Sequence, residues 1–276
     1  MDLRSLSRVA FYVFSPCLVF DSLTHSDLSG GLVAQIGLVS LGVTLFVASV
    51  AFLAGRTLRL DRHTLATLIV AATFGNAGNF GLAVSKFAFG DAALARSLVY
   101  FVFNSLAVYT LGVAVAAAGK RTWREVIQHG LLLPTTLAVA AALLMRLAGL
   151  AAPAPVEKAV GLVGQAAIPL MLMLLGLQLA GIKTFPRAHL GLIGLAAFSQ
   201  LVLAPLATWV LASTMQLTGV TLQAVVVESA MPTAVITTIL AVEYDLDAAL
   251  VSGTVVVSTL LSPLTLTPWI AFLQHH

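Results

Sequence analysis

Apolar residues in this chain come in long runs, and charges and turn residues gather in short clusters between them. A bilayer core of about 30 Å is crossed by roughly 20 apolar residues in helical form, so each run of that length marks a candidate transmembrane helix. The pattern predicts about nine: residues 5–23, 30–55, 64–86, 93–119, 126–148, 157–181, 188–213, 219–242 and 248–273. The seventh and eighth belong to one uninterrupted apolar stretch, in which "STMQLTG" (213–219) supplies the turn. The opening residues contain a proline and no small-residue cleavage site, so they read as the first span rather than a signal peptide.

Two runs carry residues foreign to an ordinary spanning helix. "GNAGNFG" (75–81) puts three glycines and two asparagines at mid-span, and "ESAMPTA" (228–234) puts a carboxylate, hydroxyls and a proline there. Glycine weakens a helix and proline removes a backbone donor, while unpaired backbone groups in hydrocarbon are costly. Broken backbone at that depth therefore needs a cover of protein or a watery cavity. The expectation is two discontinuous helices, interrupted at Gly75, Gly78 and Gly81 in one and at Pro232 in the other.

Composition narrows the class. Hydrophobic residues make up 59% and charged residues 9%, against about 25% charged in soluble domains. With a mean hydropathy of +1.02, this is an integral membrane protein. The net charge of +3 sits in loop clusters, so no nucleic-acid partner is implied. Cys17 has no second cysteine to pair with and reads as a packing residue. Neither H-E-x-x-H nor G-x-S-x-G occurs, so an enzyme is not expected, and no cofactor is called for. With a cytoplasmic N-terminus, Arg4, Arg8, Arg56, Arg59, Arg62, Lys120, Arg121, Arg124, Lys183 and Arg187 lie inside. Lys86, Arg96, Arg146 and Lys158 then lie outside, as the positive-inside rule requires. An odd number of spans leaves the C-terminus outside; its His275 and His276 are given no role.

The chain also repeats itself. "DAALARSLVYFVFNSLAVYTLGV" from Asp91 resembles "DAALVSGTVVVSTLLSPLTLTPW" from Asp247, and the segments around Pro16 and Pro169 match at nearly the same offset, as do the two interruptions. A repeat with an odd number of spans inverts its second copy, which is the plan of many secondary transporters. The repeats are expected at 1–125 (four helices) and 126–276 (five helices), with a helix matching 126–148 missing before Arg4. Discontinuous helices at matching positions point to a transport site, where half-helix N-termini offer N–H groups to an anion.

These motifs resemble the auxin efflux carrier family of permeases, within the bile acid/sodium symporter-like superfamily. "SAMPTAVITTILAVEYDLDAALVSGTVVVSTLLSPLTLTPW" (229–269) is similar to the family's C-terminal end. "FGNAGNFGLAV" (74–84) is similar to its first crossover, and "VFSPCLVFDSL" (13–23) to its second helix. This chain has Leu82 and Ala83 where the family commonly carries a proline. The resemblance implies two inverted five-helix repeats, of which this sequence lacks the first helix, either because it starts late or because the protein does without it. It implies a transport bundle (28–119 and 188–276) moving against a scaffold bundle (1–27 and 126–187), organic anion transport, and a possible homodimer through the scaffold. Carried over by position, the substrate-binding set is Asn76, Asn79, Met231, Pro232 and Thr233, with Asn104 and Ser258 beside them on equivalent helices.

The residues leave several alternatives open. Asn76 and Asn79 either line the site or cap half-helices; Asn104 either lines it or bridges helices. Glu228, a carboxyl at bilayer depth, must face the interior, as a coupling site for H⁺ or Na⁺ or as a permanently protonated hydrogen-bonding group. Pro16 and Pro169 read as kinks, Met171 and Met173 as packing, and Gln165 and Gln178 as path-lining or helix-bridging. Trp123, Trp209 and Trp269 read as interface anchors, and "EYDLD" (243–247) as a solvated loop. The expected function is a permease for a small carboxylate in a bacterial plasma membrane, with symport of H⁺ or Na⁺ at Glu228 as one form of it. Its rivals are a sodium-coupled bile-acid-like symporter, a cation/proton antiporter, and a sensor built on a transporter fold.

Overall fold

The computed structural model describes residues 3–117, 132–181 and 189–275, and these are almost wholly helical. In chain order the helices are α1 (residues 3–24), α2 (Gly30–Thr57), α3 (Arg62–Thr73), α4 (residues 77–89), α5 (Asp91–Ala116) and α6 (Pro134–Leu147). There follow α7 (Ala154–Gln165), α8 (Ala167–Ala180), α9 (Leu190–Thr214), α10 (Gly219–Ser229), α11 (Ile236–Glu243) and α12 (Ala248–Gln274). Six continuous or nearly continuous helical stretches are long and apolar enough to cross a bilayer, namely those of α1, α2, α5, α7 with α8, α9 and α12. Two other expected spans are the interrupted ones: α3 with α4, and α10 with α11. The fifth span is α6, whose expected start at 126–131 lies outside the described residues, as do Lys120, Arg121, Trp123, Arg124, Lys183 and Arg187.

Local chemistry sets the boundaries. Ser29, Asp61 and Asp247 cap α2, α3 and α12, each side chain accepting backbone N–H groups of its helix's first turn. The turn between α9 and α10 falls where "STMQLTG" puts it, with Gln216 and Gly219 at φ of +59° and +55°. Prolines are accommodated inside helices rather than ending them. Pro263 cannot donate to Thr259 O, and Ser262 Oγ donates to that carbonyl at 2.8 Å instead. Ahead of Pro16 and Pro205 the helix widens into π turns, at Ala10–Phe14 and Ser199–Leu203.

Helix α1 packs against α6 and α7. The approach to α7 is close enough that a Cβ on Gly164 would lie 3.0 Å from the backbone of Leu18. Helix α8 runs against α1 and the start of α4. The remaining helices pack on one another, with α5 against α2, α4 and α10, and α12 against α3, α9, α10 and α11. Leu38, Leu45 and Leu53 of α2 and Leu260 and Leu264 of α12 point outward, an apolar belt that a bilayer covers. The "EYDLD" turn is better anchored than a solvated loop: His63 Nε2 bonds Asp245 O at 2.6 Å, Thr67 Oγ1 accepts from Asp247 N, and Asp247 pairs with His189 at 3.1 Å.

Candidate functional site

The two interruptions meet. Residues 74–76, between α3 and α4, and residues 230–235, between α10 and α11, leave the helical path and pair as a short antiparallel bridge between Gly75 and Thr233. Asn76 N donates to Pro232 O at 2.7 Å and Ala234 N to Phe74 O at 2.9 Å. Each break thus supplies the other with the partners its own helix has lost, which is the condition for non-helical backbone at this depth.

Both breaks are also held from the side. Asn104 of α5 donates from Nδ2 to Gly75 O at 3.4 Å. Ser258 of α12 accepts Thr233 N at 3.0 Å, and Thr233 Oγ1 donates to Ala71 O at 3.0 Å. Asn104 and Ser258 are therefore partners in role as well as in sequence. Asn76 does cap a half-helix, its Oδ1 accepting Asn79 N at 3.3 Å, yet its Nδ2 is buried with no partner. Asn79 is half-buried, while Met231 and Thr233 are fully buried, Met231 within the main apolar core. Within the breaks themselves, the N–H groups of Asn76, Thr233 and Ala234 are occupied by these internal bonds.

The glycines divide in a way their spacing hides. Only Gly75 lies in the extended break; Gly78 and Gly81 sit inside a π turn (Ala77–Gly81) that runs straight into Leu82–Phe89. They are not breakers, and Leu82 continues the helix where a proline was the alternative. What they provide is room. A Cβ at Gly78 would strike the Phe101 ring at 2.7 Å, and one at Gly81 would strike the Glu228 carboxyl, 2.8 Å from Cδ. Gly75 is equally crowded, its Cβ position being 2.5 Å from Gln200 Nε2.

Glu228, 1% exposed, ends up in the last turn of α10 with both carboxyl oxygens buried and accepting no hydrogen bond. Ser97 lies beside it but donates to Ser85 Oγ at 2.6 Å. Glu228 borders a cavity of about 10 Å³, room for one water, lined also by Thr44, Thr73, Gly75, Tyr100, Asn104, Gln200, Ser229 and valines of α2. Four oxygens at the cavity's residues are buried and unpartnered: the two Glu228 oxygens and Gln200 Oε1 can accept, and the Thr73 hydroxyl can accept or donate. Among the described residues no cluster of His, Cys, Asp and Glu could hold a metal ion.

Thus the structure brings together Asn76, Asn104, Pro232, Thr233, Ser258 and the Gly75 break, and sets Glu228 just behind them. The residue that sequence reasoning missed is Gln200, whose signal was a lone amide in an apolar run five residues before Pro205. Gln165, weighed for a path between bundles, is exposed, and the side chain of Gln178 lies outside the described residues.

A chain of membrane-crossing helices, two of them broken and paired at their breaks, has the build of a membrane transporter. The sequence profile described as membrane transport protein matches residues 2–121 and 115–270. The chain belongs to that family, which includes the auxin efflux carriers, and is a transporter rather than an enzyme. It is 29% identical, over 97% of its length and 88% of the relative's, to an uncharacterized transporter of Methanothermobacter thermautotrophicus. A second uncharacterized transporter, from Methanocaldococcus jannaschii, is 24% identical over 96% of this chain and 88% of its own. A Rhizobium meliloti protein named "Putative malonate transporter" is 28% identical over 95% of this chain and 84% of its own.

Proposed function

We propose that this chain is a secondary carrier of small organic anions, with dicarboxylates of malonate size first, and that transport is coupled to an ion held at Glu228. The antiparallel meeting of the two breaks at Gly75 and Thr233 carries the reading. It places both helix interruptions, and the amides and hydroxyls that brace them, around one buried point. Substrate binds from Asn76, Asn79, Asn104, Met231, Pro232, Thr233 and Ser258 after the bundle 28–119 with 188–276 shifts against 1–27 with 126–187 and opens the site. The cavity as it stands fits a water or a bare monovalent cation and no carboxylate, so this is a closed state. Similarity to the Rhizobium meliloti protein supports malonate as the first substrate to try. The reading includes a bacterial plasma membrane with the N-terminus inside, an orientation that the distribution of Lys and Arg supports.

Purified protein in proteoliposomes, loaded with malonate, malate or indole-acetate and assayed by counterflow, tests this. Saturable exchange of at least one carboxylate is expected; its absence for the whole panel with protein shown to be folded overturns the reading. Glu228→Gln should keep exchange while losing its dependence on H⁺ or Na⁺. Unchanged ion dependence in that variant removes the coupling role.

A further inference from the structure

Gln200 is placed by an irregularity. Pro205 lacks the N–H that would close onto the preceding turn, and helix α9 opens into the π turn Ser199–Leu203 just ahead of it. Gln200 sits in that turn, 3% exposed. Its Nε2 donates to Ser229 O at 3.3 Å, at the C-terminal end of α10, where carbonyls lack helical partners. The same nitrogen sits against Gly75, so the one side chain touches both breaks. That donation fixes the amide's orientation and leaves Oε1 as a buried acceptor without a donor. Gln200 and Glu228 both line the same water-sized cavity.

A protonated carboxyl needs an acceptor for its hydrogen, and an amide oxygen held in place supplies one, directly or through a single water. We propose that Gln200 is a coupling determinant: its Oε1 accepts a hydrogen bond from the protonated Glu228 carboxyl, directly or through one water, and its Nε2 transmits that contact to the second break. The proposal rests on Glu228 as the coupling site. When Glu228 releases the proton, three acceptor oxygens are left unpaired beside one small void. Their repulsion loosens the grip of α9 on Ser229 unless a cation enters or a lining hydroxyl such as that of Thr73 turns to donate. From the elements packed on α10, the other titratable group at the cavity is Tyr100 of α5. Arg96 of α5 is engaged by Thr221 and Ala92 O, Lys86 of α4 pairs with Asp91, and Arg56 lies in the last turn of α2.

The test is a pH series of melting temperature and of malonate counterflow on the full chain in nanodiscs and proteoliposomes. It compares wild type, Gln200→Leu, Gln200→Asn, Glu228→Gln and Gln200→Leu with Glu228→Gln. Wild type should show a transition that Glu228→Gln abolishes. Gln200→Leu should move that midpoint toward acid by about one pH unit, a tenfold loss of proton affinity. The double variant should show no transition. A midpoint unmoved in Gln200→Leu overturns the role of Gln200. If that variant does not fold, an unmoved midpoint in Gln200→Asn, whose shorter amide cannot reach both partners, overturns it instead. A wild type with no Glu228-dependent transition refutes coupling at Glu228 itself and so is distinguishable from failure at Gln200.

Discussion

At the scale of residues, the site is defined by side chains that are missing as much as by those present. Gly81 leaves the space that the Glu228 carboxyl fills, so Gly81→Ala should push the carboxyl off its place and overpack the α4–α10 contact. The expected cost is about 1–3 kcal/mol of stability, read as a lower melting temperature, with counterflow reduced at every pH. A variant with unchanged melting and flux would show that the carboxyl does not need its present position. The sequence revealed that these glycines mattered but misassigned their work. Three glycines in seven residues look alike along the chain, and only the partner across the contact tells a breaker from a spacer. Gly75 breaks the helix; Gly78 yields to Phe101 and Gly81 to Glu228. Glu228 itself was legible, because a charge in an apolar run is conspicuous, whereas Gln200 was one neutral amide among others.

At the scale of elements, the interruptions were legible and their pairing was not. Glycine and proline announce where helix fails, but a bridge between residues 75 and 233 leaves no periodic trace in either segment. What stabilises the bridge is side-chain bracing from α5 and α12. Removing the brace in Ser258→Ala strands the Thr233 N–H in a buried setting, which should destabilise the protein by about 1–3 kcal/mol. Ser258→Thr keeps a hydroxyl and should recover much of the loss. Thermal melts of both in nanodiscs check this. Equal melting of the alanine variant and wild type would mean that water reaches Thr233. The prolines teach the complementary lesson. Pro263 sits in mid-helix without ending α12 because a neighbouring serine meets the abandoned carbonyl, and Pro205 widens its helix instead of breaking it. Residue type alone does not separate Pro232, which lies in a break, from Pro263, which lies in a helix; the hydroxyl donating to the freed carbonyl does.

At the scale of the whole molecule, the all-helical, many-span build and the order of its helices followed from run length, because hydrocarbon thickness leaves helices little choice. The contacts that fix one helix end against another did not follow. The end of α1 is joined to α6 and α7 by a polar clasp: His25 Nε2 lies 2.6 Å from Glu157 Oε1, and Arg146 donates to Leu23 O and Ser26 O. A backbone bond to Asp21 O and the Glu157 carboxylate together hold the His25 imidazole above its ordinary value of 6.5, with Asp21 adding to the attraction. A raised value in the folded state means that the clasp's contribution is complete below about pH 6.5 and fades as pH climbs through the folded value. Glu157→Gln removes the carboxylate and keeps the shape. The melting difference between wild type and Glu157→Gln should therefore be largest below about pH 6.5 and shrink as pH rises through the raised folded value of His25. Because His25 and Glu157 are each about half exposed, the effect is a modest one that added salt weakens. A difference that persists at alkaline pH would assign Glu157 a role in packing rather than in the ion pair. Since the clasp ties together only α1, α6 and α7, its loss should leave the pH profile of counterflow at Glu228 where it was.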